Sequence, residues 1–233
     1  MTAKQNRGPQ KRRAPAVPLD FYDSQAGRRN PNLFFIFYNG EVTERNYFKG
    51  LGDALIPDEA IRTQYLRREY AHGSPQQVVE YAESAIAKRK NNDYQDIIWV
   101  VFDKDDFTNY SKVITLAHEK GMLAAYSNEC FELWLLLHFQ EQNTRIRRGR
   151  IAEILRCKWE EKSGKTVESD DDVKHFPYGI IHQHGDQDAA ISRARDLYTS
   201  ATEENAESPW NVNPVTTVHD LVESLKTFFN PLT

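Results

Sequence analysis

Cysteine is scarce in this chain. Its 233 residues include only Cys130 and Cys157, which form no CxxC pair, so neither a disulfide framework nor a zinc knuckle is indicated. No apolar run reaches the roughly 18 residues of a membrane helix. The N-terminus does not read as a signal peptide either, so a cytoplasmic protein with no membrane partner is expected. A GxxxxGK[ST] loop is missing, which excludes a P-loop ATPase within the chain. No zinc finger, recognition helix or RNA-binding aromatic motif is present, so base-specific readout is unsupported. There is also no internal repeat. Acidic residues are absent from residues 1–19, MTAKQNRGPQKRRAPAVPL, which carry +5 of a net charge of −4 and leave −9 for the remainder. Rich in Pro, Gly and Gln and with little to bury, residues 1–29 read as a disordered basic tail.

What is present suits a folded core. The chain is 39% hydrophobic, 27% charged and 12% aromatic, ordinary values for a globular protein. Leu33–Tyr38 and Ile97–Phe102 are continuous apolar runs. Runs that do not alternate suggest strands buried on both faces of a parallel sheet. Helical spacing covers residues 44–56 and 75–90, the latter opened by Ser74 as N-cap and Pro75 at the first helical position. Residues 61–70 fit a strand or a helix, 108–120 a short helix closed by Gly121, and 122–127 a third strand. This alternation predicts an α/β fold. Asn128–Phe139 (NECFELWLLLHF) is apolar around its whole circumference and reads as a central buried helix. Further helices are expected over 151–161, 186–203 and 216–229, with EKSGKTVESDDD a polar loop. The expected organisation is a core over 30–140 with a helical extension, 141–233, packed on it as one domain.

Carboxylates gather after both apolar runs. The second ends in FDKDDF, bringing Asp103, Asp105 and Asp106 to the carboxyl end of a strand, where ligands of open α/β sheets collect. Two apart in an extended segment, Asp103 and Asp105 point the same way, and paired carboxylates suit a hard cation such as Mg²⁺. An Asp-rich turn capping the next helix is the competing structural reading. The first run is followed by Asn39-Gly40-Glu41-Val42-Thr43-Glu44. If the two strands are neighbours, Glu41 and Glu44 join the aspartates, and mutual repulsion favours a bound cation or a raised carboxyl pKa. Thr43 as N-cap with Glu44 in the first turn accounts for the same residues structurally. Arg145, Arg147, Arg148 and Arg150 form the densest basic cluster of the folded part, suited to sequence-independent contact with phosphate backbones. Glu132, on the apolar helix, needs a partner such as Arg193 or a backbone amide.

NGEVTERNYF, VFDKDDF and SNECFELWLLLHF, in this order, resemble the blocks of the RloB-like family, and NPVTTVHDLVESL is similar to that family's C-terminal helix start. The resemblance covers roughly residues 30–228. It implies a TOPRIM-like fold and a metal-dependent nuclease site: Asp103 and Asp105, with Asp106 in support, for Mg²⁺ or Mn²⁺, and a glutamate after the first strand for proton transfer. In this chain the glutamate position falls on Asn39, which cannot exchange a proton at neutral pH. Glu41 is the first replacement and Glu44 the second. The family's Ser-Asn-Pro becomes Ser127-Asn128-Glu129, so Asn128 and Glu132 are further candidates. The function expected is cleavage of nucleic acid, with RNA such as tRNA favoured over DNA, in the effector of an anti-phage (abortive-infection) system acting beside a partner ATPase. The alternative is a catalytically degenerate module that binds nucleotide or nucleic acid, or acts as scaffold for that ATPase. The oligomeric state is left open.

A second motif, His182-x-His184-x-Asp186, suggests a zinc hydrolase, but Gln187 stands where the next histidine is needed and the β-rich lead-in is missing. The segment is expected to be a solvated loop. His138, at the end of the apolar helix, is read as a core or capping histidine.

Overall fold

The computed structural model describes residues 32–88, 96–105 and 107–229. The basic tail and Asp106 lie outside the described residues. A five-stranded sheet organises the chain, with β1 (Phe34–Tyr38), β2 (Leu66–Tyr70), β3 (Ile97–Asp103), β4 (Leu123–Asn128) and β5 (Val215–Thr216) in the order β2-β1-β3-β4-β5. All neighbours are parallel except the β4–β5 pair. The fold is therefore α/β with a mostly parallel sheet, as the continuous apolar runs indicate. Alternate residues of each run serve opposite faces. Phe34, Ile36 and Tyr38 with Trp99 and Val101 join one buried cluster, and Phe35 and Phe37 with Val100 and Phe102 join the other.

The first face is covered by α1 (Thr43–Leu55), α5 (Glu132–Leu137) and α9 (Val218–Phe229), the second by α3 (Pro75–Ala87) and α4 (Tyr110–Glu119). Ser74 caps α3 in a reciprocal capping box with Gln77. The ambiguous stretch 61–70 divides between α2 (Glu59–Tyr65) and β2. The chain leaves β1 for β2 on one side and leaves β3 for β4 on the other, so the sheet reverses its winding between β1 and β3. That reversal opens a crevice at their carboxyl ends.

The later residues are tied to this sheet. Phe228 of α9 packs edge-on against Phe34, with ring centroids 5.4 Å apart. Short β5, not anticipated from sequence, pairs antiparallel with β4 at the edge of the sheet; the Thr216 and Ser127 hydroxyls lie 2.8 Å apart, and the Tyr126 amide donates to the Thr217 hydroxyl at 3.0 Å. Besides α9, the α-helices of this half are α6 (Arg148–Ser163), α7 (Tyr178–His184) and α8 (Gln187–Glu204). The central buried helix is shorter than expected: only Glu132–Leu137 is α-helical, although Leu133 to Leu137 are all buried. Among the described residues no helix is long and apolar enough to cross a membrane.

Candidate active site

The crevice between β1 and β3 is lined with acids. β3 ends at Asp103, and the following chain is held against the end of β4: the Lys104 amide donates to Ser127 O at 2.9 Å and that of Asp105 to Glu129 O at 3.3 Å. Asp105 has φ of 40°, a left-handed conformation that aspartate tolerates better than most residues. The two aspartates do converge, but through a turn rather than by strand alternation. Both pair with one nitrogen of Arg148, Asp103 at 3.3 Å and Asp105 more closely.

Glu44 reaches the same place from β1. It is the second residue of α1 and is buried among Tyr47, Phe48 and Leu51, its neighbours on one stripe of the helix. Its carboxylate folds back over Gly40, where an added Cβ would lie 1.5 Å from Glu44 Oε2. Glycine at position 40 thus answers to the close approach of this carboxylate. Thr43 is not the N-cap: the helix starts at Thr43, and its hydroxyl donates to Glu132 Oε1 at 2.7 Å. Burial, then the neighbouring Glu132, holds the Cys130 thiol well above its ordinary pKa. Arg193, proposed above as its partner, instead donates to Leu137 O at 2.6 Å.

Crowding of acids in a partly buried site raises their proton affinity. Burial, then the neighbouring Glu132, pushes the Glu44 carboxyl up to about 8. Asp103 is held well above the usual carboxylate range by burial, then by Glu44, Glu132 and Asp105. Burial opposes the charge of Arg148, but the neighbouring carboxylates of Asp103, Asp105 and Glu132 more than offset it and keep the guanidinium firmly protonated. Arg148 opens α6, and its amide donates to Glu129 Oε2 at 2.7 Å. The residue that departs from the family's proline therefore places an acid at a helix N-terminus.

Beside the acids lies a cleft of about 670 Å³, whose walls include Lys104, Arg145, Arg147 and Arg148. The segment carrying the first two of these three arginines is clamped by Asn213, which both accepts from the Ile146 amide and donates to its carbonyl at 2.9 Å. Asn128 lines the cleft too, and its amide donates to Trp210 O and Val212 O at 3.2 and 2.9 Å.

Other expected site residues lie elsewhere. Glu41 is exposed and is not among the charges acting most on Glu44 or Asp103, because it precedes the helix that turns Glu44 inward. Asn39 directs its amide to Gly73 O at 3.3 Å. Arg150 pairs with Glu153 at 2.6 Å on the exposed side of α6 and does not line the cleft. The supposed loop with His182 and His184 is helix α7. Two residues apart on a helix these histidines point to different sides, His182 stacks on Tyr178, and Asp186 caps α8. His138 is buried in the aromatic cluster, with Nδ1 2.9 Å from Trp134 O, and burial lowers its pKa to about 4.

A family model described as RloB-like protein matches residues 34–225. The chain belongs to the RloB-like family. Gly40, Glu44, Asp103, Asp105, Glu132 and Arg148 all fall within the matched span. No curated protein and no solved structure matches the chain.

Proposed function

We propose that this RloB-like protein is a divalent-metal-dependent nuclease with a TOPRIM-like site, cleaving phosphodiester bonds of RNA in preference to DNA. The observation that carries the reading is the meeting of Glu44, Asp103, Asp105 and Glu132 at the winding reversal of the sheet, beside a cleft where Lys104, Arg145, Arg147 and Arg148 stand with the acids Asp105, Glu129 and Glu204. The donor set is all oxygen at Asp103 and Asp105, the chemistry that Mg²⁺ and Mn²⁺ favour, and its repulsion is the kind that a cation relieves. Among the described residues no three acidic, histidine or cysteine side chains are already gathered as a metal-holding group. The Arg148 guanidinium is the cation that the two aspartates hold.

In this reading Asp103 and Asp105 hold the ion, with Asp106 a further candidate ligand outside the described residues. The ion, when bound, neutralises charge developing on the phosphate. Glu44 keeps its proton at neutral pH and is placed to give it to the leaving oxygen. Glu132, fixed by Thr43, keeps a second carboxyl beside Glu44 and so sustains that proton affinity. Arg145 and Arg147 bind the backbone as charged, sequence-independent contacts. Glu44 thus takes the role first assigned to Glu41, and a glutamate at position 39 is not needed. The preference for RNA, the place in anti-phage defence and the partner ATPase rest on the family resemblance.

The test is hydrolysis of a structured RNA in Mg²⁺ or Mn²⁺, arrested by EDTA; strand scission that persists in EDTA defeats the proposal. Gly40→Ala supplies a finer check. The new methyl pushes the Glu44 carboxylate from its place while leaving the core untouched, so kcat is expected to fall about tenfold or more with little change in melting temperature. An unchanged kcat would remove Glu44 from the chemistry. The rival reading, a degenerate binding or scaffold module, is favoured by one observation: Arg148 already neutralises the aspartates. It predicts RNA binding without cleavage in either metal.

A further inference from the structure

Arg148 faces two possible sets of partners. One of its nitrogens bridges Asp103 Oδ2, at 3.3 Å, and Asp105 Oδ1, the oxygens that the proposed function gives to a metal. A guanidinium and a divalent ion cannot share those lone pairs. The same side chain is 48% exposed and borders the cleft that Arg145 and Arg147 also line, within a setting where a phosphate would meet a guanidinium fork. Its backbone is fixed by Glu129 at the start of α6. Exchange therefore requires rotation of the side chain alone.

We infer that Arg148 is an exchangeable counter-ion: it stands on Asp103 and Asp105 where a divalent cation would otherwise bind, and a phosphate entering the cleft draws it off. The inference rests on reading those aspartates as metal ligands. It makes metal and phosphate binding mutually reinforcing, since coupling between two sites is reciprocal.

Calorimetric titration of Mn²⁺ into the full chain tests this. Arg148→Met is expected to bind Mn²⁺ about tenfold more tightly than the wild type, within the usual range of such couplings. Arg148→Lys, whose strongly hydrated ammonium lacks the planar guanidinium fork for phosphate, should fall between them and serves if Arg148→Met does not fold. Sulfate, a phosphate mimic, replacing chloride at equal ionic strength, should strengthen Mn²⁺ binding to the wild type several-fold and leave Arg148→Met unchanged. Equal or weaker Mn²⁺ binding by folded Arg148→Met, or no effect of sulfate on the wild type, overturns the exchange while leaving a metal site lost in Asp103→Asn intact. Absence of Mn²⁺ binding in the wild type, Arg148→Met and Arg148→Lys overturns the exchange and the metal reading together.

Discussion

Glu44→Gln is expected to make the protein more stable near neutral pH and at the same time to reduce RNA cleavage about a hundredfold or more, the scale of a lost general acid. The folded chain holds the Glu44 proton up to about 8, whereas an ordinary glutamate ionises near 4.5. Between those values the folded state binds a proton that the unfolded chain lacks, so stability falls as pH rises through the window. Below it both states are protonated and the penalty is absent. Glutamine keeps the shape and removes the titration. The melting temperature should rise by roughly 2–4 °C or more near the upper end of the window, a shift of about 1 kcal/mol in a domain this size, and the gain should vanish at acid pH. A lower melting temperature across the range would show instead that Glu44 is ionised and paired with Arg148. Unimpaired cleavage would remove it as proton donor.

Asp103→Asn is the second large effect. Metal charge stabilisation is worth several kcal/mol, so cleavage should drop about a thousandfold, with Mn²⁺ affinity falling as well. The fold should survive. Asp103 sits where burial and three other acids oppose its ionisation, and asparagine offers a carbonyl that Arg148 can still reach with one less repulsive charge. Circular dichroism and the melting temperature separate this outcome from its opposite. An Asp103→Asn protein that unfolds would make the residue a structural partner of Arg148 and withdraw it from the site.

Much of this arrangement is legible in the sequence. The non-alternating runs around Phe34–Tyr38 and Ile97–Phe102 indicate strands covered on both faces, and a parallel sheet places their carboxyl ends at one edge. The choice between Glu41 and Glu44 was also written there. Glu44, Tyr47, Phe48 and Leu51 follow the i, i+3, i+4, i+7 spacing of a buried stripe, which marks Glu44 as the carboxylate turned inward. Glu41 lies before the helix and has no such stripe to join.

Other features depend on contacts too distant in sequence to read. Nothing in the basic run singles out Arg148 from Arg145, Arg147 and Arg150; helix α6 starts at Arg148 because Glu129 meets its amide, and only that start aims its side chain at the acids. The left-handed turn at Asp105 follows from hydrogen bonds to β4, and β5 is two residues long, below any periodic signal.

The most direct measurement is cleavage of a structured RNA such as tRNA by the full chain in Mg²⁺ or Mn²⁺, with Asp103→Asn run beside it. The account predicts strand scission that needs the metal and is lost in the variant. Cleavage of equal rate in the variant, or RNA bound by the wild type but left whole in both metals, would contradict it.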